Sequence, residues 1–260
     1  MHLTDNLSVG FAPSINLARL SANPLFIAPP DDANVDGFPT YENGTQGRYI
    51  WGAGFQAGVY YTMEQGWNFG ASVKSPQWFE PIHQTSQDEI GRPIVLKTNM
   101  DYPMIVSLGT SYTGFEDLVL AEDVHYVDYR NTNGFNNTGF NSLGQVTGLG
   151  WDSIFVVNLG VQYRLSETWT VRAGYSYGMN PIDNSKSIFN VASPAIDNNT
   201  IYFGGSYNLT KALMVSAAYL HAFQNSISGP IIAPFGTIPG SSVGSTVSVD
   251  SILFGVTVKF

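Results

Sequence analysis

No cysteine occurs in the 260 residues. That excludes a disulfide scaffold and thiolate metal sites. Charge is also scarce. Asp, Glu, Lys and Arg make up 12% of the chain, about half of the ~25% usual in soluble domains. What charge there is leans acidic, with 11 Lys and Arg against 20 Asp and Glu and a net charge of −9. A nucleic-acid partner is therefore not expected. No apolar run approaches the roughly 18 residues of a membrane helix. Met1-His2-Leu3 lacks the basic start and apolar core of a secretory leader. The histidines His2, His83, His125 and His221 fall at no metal-ligand spacing, and GxSxG, HExxH and phosphate-loop motifs are absent. The chain calls for no cofactor and does not read as an enzyme.

What the chain has is alternation. Ile252, Phe254, Val256, Val258 and Phe260 fall on one face of the closing segment, and Leu253, Gly255, Thr257 and Lys259 on the other. A period of two means a strand. An apolar outer face opposite a small or polar inner face suits a strand between lipid and a barrel lumen. Similar runs recur about ten times, beginning near Leu7, Trp51, Trp67, Tyr102, Leu118, Phe155, Trp169, Ile201, Leu213 and Ile252. In the run from Leu118 to Tyr129 the same phase puts Glu122 on the apolar face, where a bulge or shifted register could relieve it. With 43% hydrophobic residues, 14 Tyr and 16 Phe, the reading is an all-β, antiparallel transmembrane β-barrel occupying residues 1–260 as one domain.

The connections alternate too. Short turns are expected near Glu64-Gln65-Gly66, Gly114-Phe115-Glu116, Ser166-Glu167 and Leu209-Thr210-Lys211. Long loops are expected over 21–47, 76–98, 131–150, 180–198 and 225–245. Short turns on the periplasmic side and long loops outside are the asymmetry of bacterial barrels. Trp51, Tyr61, Trp67, Tyr102, Trp151, Tyr163, Trp169 and Tyr207 lie near strand ends, where aromatic girdles sit.

These segments together resemble the FadL/TodX (OMPP1) family of outer-membrane transporters for hydrophobic compounds. The resemblance is carried by Trp67 to Pro76, Pro103 to Tyr112, Leu118 to Tyr129 with Asp123, Trp151-Asp152-Ser153 leading to Tyr163, Arg172 to Tyr177 with Pro181, and the aromatic C-terminus. It implies a barrel of roughly 14 strands plugged by an N-terminal hatch, of which the hatch and first strands are not evident here. A ten-strand barrel could also close on itself. It further implies passive transport of long-chain fatty acids or aromatic hydrocarbons across the outer membrane of a Gram-negative bacterium. The partners would be the lipid bilayer and its lipopolysaccharide, a hydrophobic small-molecule ligand, and the barrel assembly machinery. Alternatives are a non-transporting barrel with adhesive or structural loops, and a barrel hydrolase using Asp123 and His125.

Candidate ligand contacts follow from the resemblance. Leu25, Phe26 and Ile27 in loop 21–47 and Trp78, Phe79 and Ile82 in loop 76–98 match the outer loops of the family's capture groove. As exposed apolar loop residues they would form a binding surface, or else pack the loops on each other. Arg172 on an inner face could meet a carboxylate head group, or pair with Asp123 or another lumen acid. Phe254, Val256, Val258 and Phe260 match the terminal signal read by the assembly machinery.

Overall fold

The computed structural model describes residues 2–44 and 47–259. Ten long strands carry the fold: β1 (Leu7–Ala18), β2 (Ile50–Thr62), β3 (Trp67–Lys74), β4 (Met104–Tyr112), β5 (Leu118–Asp128), β6 (Ile154–Arg164), β7 (Trp169–Gly178), β8 (Asn199–Asn208), β9 (Leu213–Gly229) and β10 (Val243–Val258). Each pairs antiparallel with the next in chain order, in a single sheet. Among the described residues β1 and β10 do not pair, so the sheet does not close on itself. No described helix is long and apolar enough to cross a membrane.

Register turns the alternation into two surfaces. Val9, Val59, Ala71, Leu108, Val124 and Val157 are successive cross-strand partners along one row. That face also exposes Phe11, Ile15, Phe69, Leu159, Phe203, Phe254 and Val256. Gly10, Gly58, Ser72, Ser107 and His125 form the neighbouring row on the opposite face. A sheet with large apolar side chains exposed along its whole outer face is stable only against an apolar solvent, which lipid supplies. The pairing of β5 with β6 runs without a bulge, so Glu122 stays on the outer face opposite Thr110 and Leu159. It lies one outward position beyond the Tyr112–Leu120 pair, close to the aromatic ring cluster at the short-turn end. A carboxylate is tolerated near the interface far better than at mid-depth.

The short turns are built from residues that complete their own hydrogen bonds. Gly66 adopts φ +85°, and a Cβ there would lie 2.6 Å from the Gly114 nitrogen, so only glycine fits. The Ser166 hydroxyl accepts from the Trp169 amide at 3.1 Å, and the Thr210 hydroxyl from the Leu213 amide at 3.0 Å. At this end Trp67 meets Tyr112 at a tilt and Tyr112 meets Phe115 edge-on, at 4.9 and 5.1 Å, and Trp169 meets Tyr207 at 4.7 Å. Trp151 does not join a girdle. It is 7% exposed and packs with Leu149, Ile182, Ile196 and Ile227 in a core above the strands.

The long loops depart from the expected coil. Loop 76–98 contains a hairpin, Ile82–Gln87 with Pro93–Thr98. Loop 180–198 holds a short 3-10 helix, Asn184–Asn190, capped by Asp183. The expected loop 225–245 is shorter, because β9 continues to Gly229 and β10 starts at Val243. A register shift between Ala222 and Asn225 absorbs the break in phase. Past it, Val243, Val247 and Val249 keep a β-branched pattern that sustains the ladder.

β3 is interrupted at Pro76, which has no amide to give the ladder. Pro76 and Gln77 together face the single residue Gly54, and pairing with β2 resumes at Trp78–Ala53 and Phe79–Gly52. The Phe79 ring lies on Gly52 and the Gln77 amide on Gly54, where a Cβ would meet them at 2.4 and 2.3 Å. Gly52→Ala should therefore displace Phe79 and destabilise by about 1–3 kcal/mol. Gly10→Ala, with nothing within 4 Å of the new Cβ, should be nearly neutral. Denaturant midpoints of the two variants in detergent check this; equal midpoints would contradict the packing.

Candidate functional site: the inner wall and its cap

Alternation puts the smallest residues of each strand on the inner face. A groove of about 720 Å³ runs along β1 to β5. Its floor is Gly10, Ala12, Gly58, Gly70 and Gly109, with Ser8, Ser72, Ser107 and Ser111 between them. The larger polar groups on it are Gln56, Tyr60, Asn68 and Asp123. At its long-loop end the Gln77 carbonyl oxygen accepts from Ser14 and Asn16, each at 2.6 Å. Gln77 is 3% exposed and ties β3 across β2 to β1. Nothing in its sequence position marks it out; the signal was the pair Gly52 and Gly54 that leaves room for it.

The His125 Nε2 and the Asp123 carboxylate are in contact on this wall. His125 Nδ1 lies 2.7 Å from the Ser107 hydroxyl, and Asn158 donates to Asp123 at 2.9 Å. Serine, histidine and aspartate are thus in line. The backbone amides around them belong to the β4–β5–β6 ladder, so they offer no free pair of donors to an oxyanion. The arrangement satisfies polar groups in a wall more readily than it performs acyl transfer.

Arg172 also faces inward. Its Nε donates to Gln162 at 2.7 Å and its Nη1 to the Ser206 hydroxyl at 2.7 Å. Ser206 in turn lies 2.8 Å from Ser216. No acid pairs with Arg172 among the described residues; Asp123 is engaged by His125 and Asn158 instead. Its partners are neutral, and the guanidinium borders a second groove of about 400 Å³, lined also by Gly174, Tyr202, Gly204, Ala218 and Leu253.

The long-loop end is a folded cap. Leu25 and Ile82, 1% and 3% exposed, are packed inside it rather than displayed. Leu25 sits with Ala28 and Leu96, and Ile27 packs against that group. Phe26 packs against the separate Trp151 core. Trp78 remains 53% exposed, while Phe79 covers Gly52. The two loop segments thus do not form one exposed surface. Phe254, Val256 and Val258 lie exposed on the outer face of β10, and Phe260 lies outside the described residues.

The second core of the cap has specific polar anchors. Tyr129, Phe135 and Trp151 contact one another at 4.8–5.2 Å, and the Trp151 indole donates to Asn190 at 2.6 Å. Beside it Arg130 donates to Asp152 at 2.6 Å, with Lys186 3.6 Å from the other oxygen. The bond from Arg130, helped by Lys186, holds the Asp152 carboxyl below its ordinary value of 3.8. A depressed acid contributes stability that is present above its unfolded pKa and is lost as pH falls through the folded one. The pair is largely exposed, so its effect is small. Acidification below about pH 4 should loosen the Trp151 environment, read by near-ultraviolet circular dichroism, and Asp152→Asn should abolish that acid step. A step unchanged in Asp152→Asn would contradict the assignment.

The sequence profile described as outer membrane protein transport protein (OMPP1/FadL/TodX) matches residues 2–260. No curated protein matches the chain. Among solved structures, the Pseudomonas putida toluene transporter TodX superposes with a TM-score of 0.65 at 16% identity, covering 99% of this chain and 67% of that one. The Ralstonia pickettii toluene transporter TbuX gives 0.58 at 18% identity, covering 99% and 64%. A Pseudomonas aeruginosa FadL homologue gives 0.61 at 13%, covering 98% and 63%. The chain thus spans about two thirds of the length of these structures, and at such identities the likeness establishes the fold.

Proposed function

Because the chain belongs to the OMPP1/FadL/TodX family of outer membrane transport proteins, we propose that it forms part of the wall of a passive channel for hydrophobic compounds. The observation that carries this reading is the inner groove of about 720 Å³, floored by glycine, alanine and serine. Such a surface can pass an apolar molecule without binding it through many fixed polar groups. No nucleotide or ion coupling is needed; a concentration gradient and partitioning drive the flow. TodX and TbuX are toluene transporters by description, which brings aromatic hydrocarbons into consideration beside long-chain fatty acids.

The same reading gives the open sheet a role. Among the described residues β1 and β10 do not pair with each other, and an edge strand left open at membrane depth costs several kcal/mol per unsatisfied backbone group. Further strands of a larger barrel would satisfy such groups, with an N-terminal hatch inside. Leu25, Phe26, Ile27, Trp78, Phe79 and Ile82 would then act at the entrance, chiefly through exposed Trp78, with Leu25 and Ile82 supporting the loops from within. Phe254, Val256, Val258 and Phe260 would direct assembly, and lipopolysaccharide would surround the cap.

Arg172 supplies the discriminating group. A carboxylate entering the 400 Å³ groove would find a guanidinium whose present partners are neutral. Cells lacking their own transporter and expressing the full-length protein should take up labelled oleate or toluene faster than vector controls; no gain with any hydrophobic compound overturns the transport reading. Arg172→Met should weaken fatty-acid binding by about tenfold, the loss of one charge-assisted hydrogen bond, and leave toluene binding unchanged. Equal effects on both would reject the head-group role.

A further inference from the structure

Away from the inner wall, three segments of the cap border an open cavity of about 300 Å³, with Lys97, Asn99, Asn136 and Asn137 exposed at it. They are the end of the hairpin strand Pro93–Thr98 with Asn99 and Met100 after it, residues 133–148, and Ile27 from the first long loop. Its lining is mostly polar. Two of its polar side chains, Asn133 and Gln145, are already engaged. Asn133 donates to Asp101 at 2.6 Å, and Gln145 donates to the Ile27 carbonyl at 2.7 Å while accepting from Asn141 at 3.0 Å.

Lys97, Asn99, Asn136 and Asn137 line the same cavity with side chains that make no hydrogen bond to the described residues. None of the ion pairs of the described residues involves Lys97. Thr98, 6% exposed, lines the cavity as well, and its hydroxyl is buried without a partner. A buried hydroxyl left unbonded is costly. No carboxylate lines the cavity.

The inventory is therefore rich in donors. An ammonium and three carboxamides present more N–H groups than acceptors. The matching ligand is rich in oxygen acceptors and carries negative charge. Ile27, Met100 and Val146 add an apolar wall against which the C–H face of a saturated ring can pack. We propose that this cavity binds a single acidic or phosphorylated sugar unit, with Lys97 on the anionic group and Asn99, Asn136 and Asn137 on the hydroxyls. The site is separate from the inner groove and does not depend on the transport reading. Its place at the long-loop end suits either a sugar of the surrounding surface glycan or a free sugar acid or sugar phosphate.

The test is calorimetric titration of the full chain in detergent micelles with glucose 6-phosphate, glucuronate and glucose, and with the isolated core oligosaccharide of lipopolysaccharide. Glucose 6-phosphate and glucuronate should bind, and neutral glucose should bind about tenfold more weakly. Lys97→Ala and Asn136→Ala should each weaken the acidic sugars by about tenfold, as loss of one charge-assisted or buried hydrogen bond implies. Lys97→Arg should retain binding, and unchanged heat-modifiable gel mobility establishes that each variant folds. Binding of the core oligosaccharide would identify the surface glycan as the source; its failure beside bound free sugars would identify a soluble ligand, and both support the site. No binding of either acidic sugar, equal binding of glucose, or affinity unaffected by both alanine variants would overturn it.

Discussion

Backbone hydrogen bonding at membrane depth is the constraint on which the structure depends. Lipid offers no partner for an amide or a carbonyl, so each must be satisfied by a neighbouring strand. The ten strands meet this with an unbroken antiparallel order from β1 to β10. Where the sequence cannot supply a donor, at Pro76, the ladder bulges and is secured from the side, by the Ser75 hydroxyl accepting from Phe55 at 2.9 Å and by Gln77 reaching β1. Serine, threonine and one constrained glycine close the short turns. Among the described residues the two outermost strands, β1 and β10, do not pair with each other.

Once the ladder is fixed, side-chain size divides the two faces. Large apolar residues outside match the lipid; small ones inside leave space. The polar groups that do face inward are tied to one another, as Asp123 is to His125 and Asn158. Arg172 is held by the neutral groups of Gln162 and Ser206. Above the strands the loops fold into two cores of their own. The long-loop end is thus a structured cap rather than a set of loose loops.

Much of this was legible before the structure. All ten strands, the four short turns and the alternate faces follow from a period of two, which a strand imposes on every residue. Glu122 kept the phase its neighbours dictated. What was not legible depends on contacts distant in sequence. Trp151 reads as a girdle aromatic until Asn190, 39 positions away, is found under its indole. Gly52 and Gly54 read as ordinary inner-face glycines until Phe79 and Gln77 fold over them. Leu25 and Ile82 look like exposed loop residues because sequence cannot show which loops pack together. The continuation of β9 and β10 was hidden by the phase change at the bulge, although the valines of 243–249 carried the signal.

One face of this sheet meets lipid and the other an aqueous or ligand-filled interior. Because the chain has no cysteine, single cysteines can be placed without background. Spin labels at Val59, Phe69, Leu108, Leu159 and Phe254 are predicted to collide with membrane-dissolved oxygen. Labels at Gly58, Gly70, Ser107, Gly160 and Gly255 are predicted to collide with a water-soluble nickel chelate. The account requires accessibility to alternate with a period of two across every strand; a uniform profile, or one with the two faces reversed, would contradict it.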